Sequence, residues 1–101
     1  MKLFIDTSDS EKLTISLDKQ KWETEARQNK SQVLLLFIDE KLKELGKTPK
    51  DLTEIEVKTG PGSFTGLRIG ISVANTMGWV LGIPVNGRTI SENEVVAPSY
   101  S

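Results

Sequence analysis

The 101-residue chain contains neither cysteine nor histidine. Without cysteine, the chain has no disulfide bonds, no thiolate nucleophile and no cysteine-ligated zinc site. Without histidine, it also lacks the side chain that most often serves as a general base and metal ligand near neutral pH. Catalytic mechanisms that depend on a cysteine or histidine side chain are therefore excluded. We expect no catalytic residue, no metal site and no cofactor in this chain.

An excess of charge of one sign and long apolar runs are also missing. Thirteen basic and fourteen acidic residues give a net charge of −1, so the chain offers no basic surface of the kind that binds nucleic acids. We therefore expect no direct tRNA binding by this chain alone. The apolar run at the N-terminus, Leu3–Ile5, is too short for a signal peptide or a membrane span. We expect a single cytoplasmic domain without membrane contacts.

Apolar residues alternate with polar ones in the first quarter of the chain, which is typical of β-strands. The pattern predicts strands around Leu3–Ile5, Leu13–Leu17 and Lys21–Ala26, paired as an antiparallel meander with the third strand at a charged edge. Ile55 and Val57 alternate with acidic residues in a predicted fourth strand. A short fifth strand is predicted at Ile83–Val85.

A first helix is predicted over residues 31–45, with Ser31 as the N-cap and Gly46 beyond its end. Leu34, Ile38, Leu42 and Leu45 form its predicted core stripe, but residues 33–38 are apolar around the whole circumference. One sheet cannot cover all of them, so we expect part of this helix to contact a neighbour. The segment 48–51 resembles a capped single turn, and the last residues, 97–101, read as a frayed end.

The densest cluster of glycine lies between the fourth strand and a second helix, which is predicted over residues 66–81 with Gly82 at its end. Three glycines and one proline surround an aromatic residue there, so we predict a loop of defined shape. We assign a structural role in this loop to Gly60, Pro61, Gly62, Ser63, Phe64, Thr65, Gly66 and Arg68. The order of the elements is βββαβαβ.

The loop has two functional interpretations. Main-chain N–H groups at the start of a helix can bind phosphate, but neither the P-loop motif nor the dinucleotide-binding spacing is complete. Ser63 and Thr65 have no evident base beside them, so hydrogen bonding within the loop and helix cap is the simpler role. Arg68 is interpreted as a hydrogen-bonded anchor of the loop or as a partner contact. For Asp6, we favour hydrogen bonding to the turn at residues 7–10 over a phosphate site.

A resemblance to the bacterial TsaB (YeaZ) family rests on the stretch GPGSFTGLRIG at residues 60–70, followed by a helix and Gly-Ile-Pro-Val at residues 82–85. The opening Leu3–Ser8 is similar to the first strand and Asp-Thr turn of that family. The resemblance covers residues 1–87. It implies a scaffold subunit of the machinery that makes threonylcarbamoyladenosine in tRNAs.

The resemblance also implies a fold. We expect an α/β half-lobe of the actin-like ATPase or ribonuclease-H-like type, with a mixed five-stranded sheet and two helices on one face. The strands would follow one another across the sheet in the order third, second, first, fourth, fifth. The domain description is a TsaB-like N-terminal lobe at residues 1–87 and a divergent C-terminal tail at residues 88–101. A third helix of the family is missing, so the tail, another chain or nothing would cover the opposite sheet face.

The partners follow from the same resemblance. The family is held to be catalytically inert and to pair with its catalytic paralogue, TsaD, through the first two helices of each partner. The TsaE-like ATPase of that complex is a second candidate partner, and a homodimer is expected in isolation. The second helix has two stripes that suggest two neighbours: a groove of small residues at Gly70, Ala74 and Gly78, and a second apolar stripe at Ile69, Val73, Met77 and Val80. The predicted partner interface comprises Val33, Leu36, Phe37, Ile69, Gly70, Val73, Ala74, Met77 and Gly78. The alternative function is an actin-fold enzyme that binds or hydrolyses a nucleotide at the Gly60–Gly66 loop.

Overall fold

The structure is a computed structural model that describes residues 1–91 and 94–99. It contains one mixed sheet with four strands. These are β1 (Lys2–Asp6), β2 (Lys12–Leu17), β3 (Gln20–Glu25) and β4 (Glu54–Val57), and they lie in the order β3-β2-β1-β4. The first three form the predicted antiparallel meander, and β4 runs parallel to β1.

The register of the strands puts their apolar residues on one face of the sheet. Ile5 of β1 lies between Ile15 of β2 and Val57 of β4. A second row joins Leu17, Leu3 and Ile55 in the same way. These side chains are buried, while the residues between them are half-buried or exposed. The sheet therefore has one face in the core, as the alternating pattern predicts.

Two helices cover this apolar face. They are α1 (Lys30–Glu44) and α2 (Phe64–Leu81), and a single 3₁₀ turn at Pro49–Asp51 precedes β4. The N-cap of α1 is Asn29, which has a left-handed backbone and makes no side-chain cap hydrogen bond. The predicted cap at Ser31 is therefore wrong, because Ser31 lies inside the first turn of the helix.

The end of α1 is formed as the sequence predicts. Gly46 has a φ of 69°, which only glycine adopts without a steric penalty. The N–H of Lys47 donates to the carbonyl oxygen of Leu42 over 2.8 Å, and the N–H of Gly46 donates to that of Lys43 over 3.0 Å. This pair of bonds is a Schellman motif, which satisfies the last carbonyl groups of the helix.

The predicted fifth strand is wrong in extent. Val85 forms only an isolated parallel bridge with Ile55, so the sheet has four strands instead of five. Two causes limit the pairing. Pro84 has no N–H to donate, and the main-chain N–H and carbonyl groups of Val57 bond to the side chain of Asn86 instead of to a neighbouring strand. The position of Val85 beside β4 nonetheless agrees with the expected strand order.

Beyond Val85, the chain returns to α2. Residues 94–99, which we call the described part of the tail, lie along α2 and reach Thr59. There the N–H of Ser99 donates to the Thr59 carbonyl oxygen over 2.8 Å. The prediction of a frayed end is therefore wrong for residues 97–99. Its last two residues, 100 and 101, lie outside the described part of the chain. The division into a lobe at residues 1–87 and a divergent tail remains a proposal.

The opposite face of the sheet carries polar and charged side chains. Lys2, Phe4, Ser16 and Glu56 line a shallow, open depression there. The Lys2 ammonium lies 3.5 Å from the Glu56 carboxylate across the β1–β4 pair, and both side chains are about half exposed. The tail is one of three possibilities predicted for covering this face. Its residues 94–99 do not cover it, because they lie on α2.

Candidate functional site

The small residues of α2 face the sheet of their own domain. A Cβ atom built on Gly70 would lie 2.5 Å from the hydroxyl of Thr7, and one built on Gly78 would lie 2.4 Å from the side chain of Val85. Ala74 between them has no exposed surface. All three residues belong to the predicted partner interface. The structure corrects that placement, because the close approach of the helix to the sheet buries them.

The glycine loop is held against the turn after β1. The N–H of Ser63 donates to the carbonyl oxygen of Ser8 over 2.7 Å, and a Cβ atom on Gly62 would lie 2.5 Å from the Ser8 side chain. The Ser63 hydroxyl accepts from the N–H of Gly66 over 3.3 Å and so caps α2. The capping role is confirmed, although α2 begins at Phe64, two residues before the predicted start.

The same turn uses Asp6 as predicted. Its carboxylate accepts hydrogen bonds from the N–H of Ser8 over 2.9 Å and from the Ser8 hydroxyl over 2.6 Å. The ammonium of Lys58 lies 3.9 Å from the other carboxylate oxygen. Within residues 1–91 and 94–99, no three acidic side chains come together as a possible metal site.

Arg68 contacts an aromatic ring in the first turn of α2. Its guanidinium carbon lies 5.5 Å from the centroid of the Phe64 ring. Arg68 thus makes a cation–π contact within its own helix, and its predicted roles as a loop anchor or a partner contact stay predictions. Phe64, Thr65 and Arg68 are all exposed, so the start of α2 presents an aromatic and a cationic side chain together.

The second apolar stripe of α2 lies beside α1. Met77 and Val80 line an open groove between the helices, with a volume of about 300 Å³. Leu35, Ile38 and Leu42 of α1 form its other wall. At the opposite end of the helix pair, Thr65 and Ile69 lie beside residues 27–32. The two helices therefore run side by side in the same direction.

Part of the helix pair is apolar and exposed. Leu36 is 69% exposed, Val80 is 74% exposed and Leu35 is 47% exposed. We define these three residues, with the half-buried Ile69 and Met77, as the exposed helix face. Large apolar side chains clustered on a surface mark sites of interaction with other molecules. This face is the candidate functional site.

The predicted interface residues divide between this face and the core. Leu36, Ile69 and Met77 belong to the exposed helix face, and Val33 is half-buried on α1. Phe37 and Val73 are 8% and 7% exposed, and both belong to the core cluster. The two stripes of α2 thus have two neighbours within the chain, the sheet and α1. The surface left for a partner is therefore smaller than the interface that the sequence predicts.

Leu35 and Val80 are absent from the predicted interface, although both are exposed. The predicted core stripe is confirmed at Leu34, Ile38 and Leu42, which are buried. The sequence does not show which of the other apolar residues in 33–38 are covered by the second helix.

Charged side chains flank the exposed helix face on α1. Lys43 pairs with Asp39 over 2.9 Å, at the spacing of four residues that the sequence predicts. Lys41, on another side of α1, donates to the carboxylate of Glu44 over 2.8 Å. That hydrogen bond raises the pKa of the Lys41 ammonium above its usual value. The ammonium also lies over the rings of Trp22 and Phe37.

Residues 23–95, which include α1, β4, the glycine loop and α2, are similar to a known family. They match the family described as TsaD, tRNA N6-adenosine threonylcarbamoyltransferase. The chain belongs to this family. The match covers more than half of the chain, and it includes every residue of the exposed helix face.

Two relatives extend this comparison. The chain is 43% identical over 56 residues to the tRNA threonylcarbamoyladenosine biosynthesis protein TsaB of Bacillus subtilis. The aligned segment covers 55% of this chain and 24% of that protein. It is 39% identical over 54 residues to a tRNA N6-adenosine threonylcarbamoyltransferase of Streptococcus pneumoniae, covering 54% of this chain and 16% of that enzyme. The chain thus spans a quarter or less of the length of these relatives.

A solved structure of a YeaZ protein confirms the fold and the predicted resemblance. YeaZ from Pseudomonas aeruginosa superposes with a TM-score of 0.69 and 28% identity over 83% of this chain and 41% of that chain. The TsaB-like half-lobe predicted from residues 60–70 and 82–85 is therefore confirmed, with four strands instead of five. In the described part of the chain, neither helix is long and apolar enough to cross a membrane.

Proposed function

We propose that this chain is a non-catalytic scaffold subunit that supports threonylcarbamoyladenosine modification of tRNA by binding a TsaD-like catalytic paralogue. The observation that carries the proposal is the exposed helix face, where the exposed Leu35 and Val80 line an apolar groove. The similarity to the biosynthesis protein TsaB of B. subtilis supports the role in tRNA modification. The binding surface and the pathway thus rest on separate observations.

The proposed binding mode is helix against helix. The groove between α1 and α2 is lined almost wholly by apolar side chains, and side chains of one helix pack into grooves of another. Burial of the exposed Leu and Val side chains against such a partner contributes about 1.5–3 kcal/mol for each side chain that is fully covered. In the absence of the paralogue, the same face pairs two copies of this chain. The TsaE-like ATPase remains a second candidate partner.

The alternative function, nucleotide binding at the Gly60–Gly66 loop, has less support. Phosphate sites at helix starts use free main-chain N–H groups. Here the N–H groups of Ser63, Gly66 and Leu67 donate to oxygens of Ser8 and Ser63. The loop is therefore engaged in holding α2 against the turn after β1.

The proposal is tested by the mass of the purified chain in solution, alone and mixed with the TsaD-like protein of the same organism. We expect a dimer alone and a one-to-one complex in the mixture. A chain that stays monomeric at high concentration and adds no mass to the paralogue would contradict the proposal. Turnover of ATP by the chain alone, or micromolar binding of ATP in a calorimetric titration, would favour the alternative.

A further inference from the structure

The described part of the tail is held on the flank of α2 that faces away from α1. The N–H of Val96 donates to the side-chain oxygen of Asn75 over 3.0 Å, and the side-chain nitrogen of Asn75 donates to the carbonyl oxygen of Val96 over 2.9 Å. One side-chain amide thus satisfies both main-chain groups of one residue. This is the pairing that a neighbouring peptide group would provide in a β-sheet.

A second contact fixes the tail three residues later. The N–H of Ser99 donates to the carbonyl oxygen of Thr59, directly after β4. The next residue, Gly60, lies so close to the tail that a Cβ atom built on it would be 2.5 Å from the carbonyl oxygen of Ser99. Gly60 has a φ of 155°, so glycine suits this position in backbone geometry as well as in space.

One side chain of the tail, that of Val96, is buried against the rest of the domain. Val96 is 7% exposed, whereas the preceding Val95 is 49% exposed, and Ala97 and Ser99 are also exposed. Pro98 fits between the two anchors because its missing N–H is not used. The tail is therefore recognised through three main-chain hydrogen bonds and one buried β-branched side chain. Proteins that bind extended peptides combine main-chain bonds with side-chain pockets in the same way.

We propose that this flank of α2, formed by Asn75, Thr59 and Gly60, is a docking site for a peptide segment in extended conformation. Its ligand has a valine-sized β-branched side chain and, three residues later, a main-chain N–H. Residues 94–99 fill the site as an internal ligand. The site lies across α2 from the exposed helix face, so the two surfaces are independent and the proposal does not rest on the scaffold function.

The test uses the full chain carrying Val96→Asp, which places a carboxylate in the buried pocket and releases the internal ligand. A capped peptide with the sequence of residues 94–99 is added at millimolar concentration, and nuclear magnetic resonance follows the side-chain amide of Asn75. We expect a saturable shift of this signal. The same peptide carrying Val96→Asp is the matched control and produces no shift. The wild-type chain, whose site is filled, is also expected to show none over the same range.

Two results would overturn the proposal. One is a folded Val96→Asp chain whose Asn75 signal does not move with the peptide. The other is an equal shift with the control peptide. Should Val96→Asp unfold the chain, Asn75→Leu provides a second test by amide hydrogen exchange. We expect exchange at Val96 and Ser99 to accelerate while Ile5 in the sheet stays protected, and unchanged protection at Val96 would contradict the assigned role of Asn75.

Discussion

The hydroxyl of Thr7 donates a hydrogen bond over 2.6 Å to the carbonyl oxygen of Gly66. The same hydroxyl accepts a bond over 3.1 Å from the N–H of Gly70. An α-helix pairs these two main-chain groups with each other, so a side chain from the turn after β1 bonds both members of one helical pair in α2. Because Thr7 has no exposed surface, one buried hydroxyl sets the position of α2 against the sheet.

Replacing Thr7 with valine tests this arrangement. Thr7→Val keeps the shape of the side chain but leaves a buried carbonyl and N–H without their bridge. We expect the free energy of unfolding, measured by urea denaturation, to fall by about 1–3 kcal/mol. Thr7→Ser retains the hydroxyl and loses one methyl group, at a cost of about 1 kcal/mol. A Thr7→Val variant as stable as the wild type would show that the hydroxyl contributes nothing.

Gly66 is expected to resist substitution, although it lies inside a helix. Alanine is favoured over glycine in a helix by about 1 kcal/mol, but a Cβ atom here would lie 2.3 Å from the main-chain oxygen of Thr7. Overpacking of this kind costs about 1–3 kcal/mol or more, so we expect Gly66→Ala to lower the midpoint of urea unfolding. Ser72→Ala, at an exposed position of α2, is the control. A more stable Gly66→Ala variant would refute the close contact.

Asn86 extends the sheet beyond β4 with its side chain. Its amide accepts from the N–H of Val57 over 2.8 Å and donates to the carbonyl oxygen of Val57 over 3.0 Å. Asn86→Gly keeps the backbone free to adopt the φ of 50° while removing these bonds. We expect a loss of about 1 kcal/mol in stability and faster hydrogen exchange at Val57. Exchange at Ile5 should not change, and unaltered exchange at Val57 would contradict the role of the amide.

The turn before β4 makes stability depend on pH in the acid range. The N–H of Thr48 donates to the carboxylate of Asp51 over 2.8 Å, and this bond lowers the pKa of Asp51 below its usual value of 3.8. A lowered pKa in the folded state stabilises the protein above pH 3.8, and the contribution is lost as the pH falls through the folded value.

Asp51→Ala is therefore expected to be less stable than the wild type at neutral pH, with a difference that narrows below pH 3.8. Thermal unfolding at a series of pH values measures this difference. Glu23→Ala removes an exposed carboxylate from β3 and serves as the control. A constant difference between Asp51→Ala and wild type across the whole range would contradict the assignment.

Most of the fold follows from local patterns in the sequence. Strict alternation predicts β2 because one face of the sheet is buried and the other is polar. Ser63 and Gly82 mark the ends of α2, since one side chain caps the first turn and the other residue has a left-handed backbone with a φ of 66°. The parallel pairing of β4 with β1 follows from the helix that joins the meander to it.

The errors arise where distant contacts decide the structure. The spacing of Leu34, Ile38 and Leu42 predicts the core side of α1, and all three are buried, but the sequence does not show which other apolar residues in 33–38 are covered by α2. The tail is held by the side chain of Asn75, and a single polar residue in a helix gives no periodic signal. Asn29 begins α1 through a left-handed backbone without a side-chain cap. Asn and Ser are equally favoured as N-cap residues, so residue type could not decide between Asn29 and Ser31. The extent of the exposed helix face therefore required the structure.

The central claim is that the exposed helix face binds a TsaD-like paralogue, and its most direct test is a calorimetric titration of that protein with three variants. Leu36→Glu and Val80→Glu each place a charge on the face, and Gln20→Glu adds the same charge on the distant edge strand β3. We predict that each of the first two weakens binding by about thirtyfold or more, corresponding to about 2 kcal/mol, while Gln20→Glu binds like wild type. Wild-type affinity in folded Leu36→Glu and Val80→Glu variants would contradict the account.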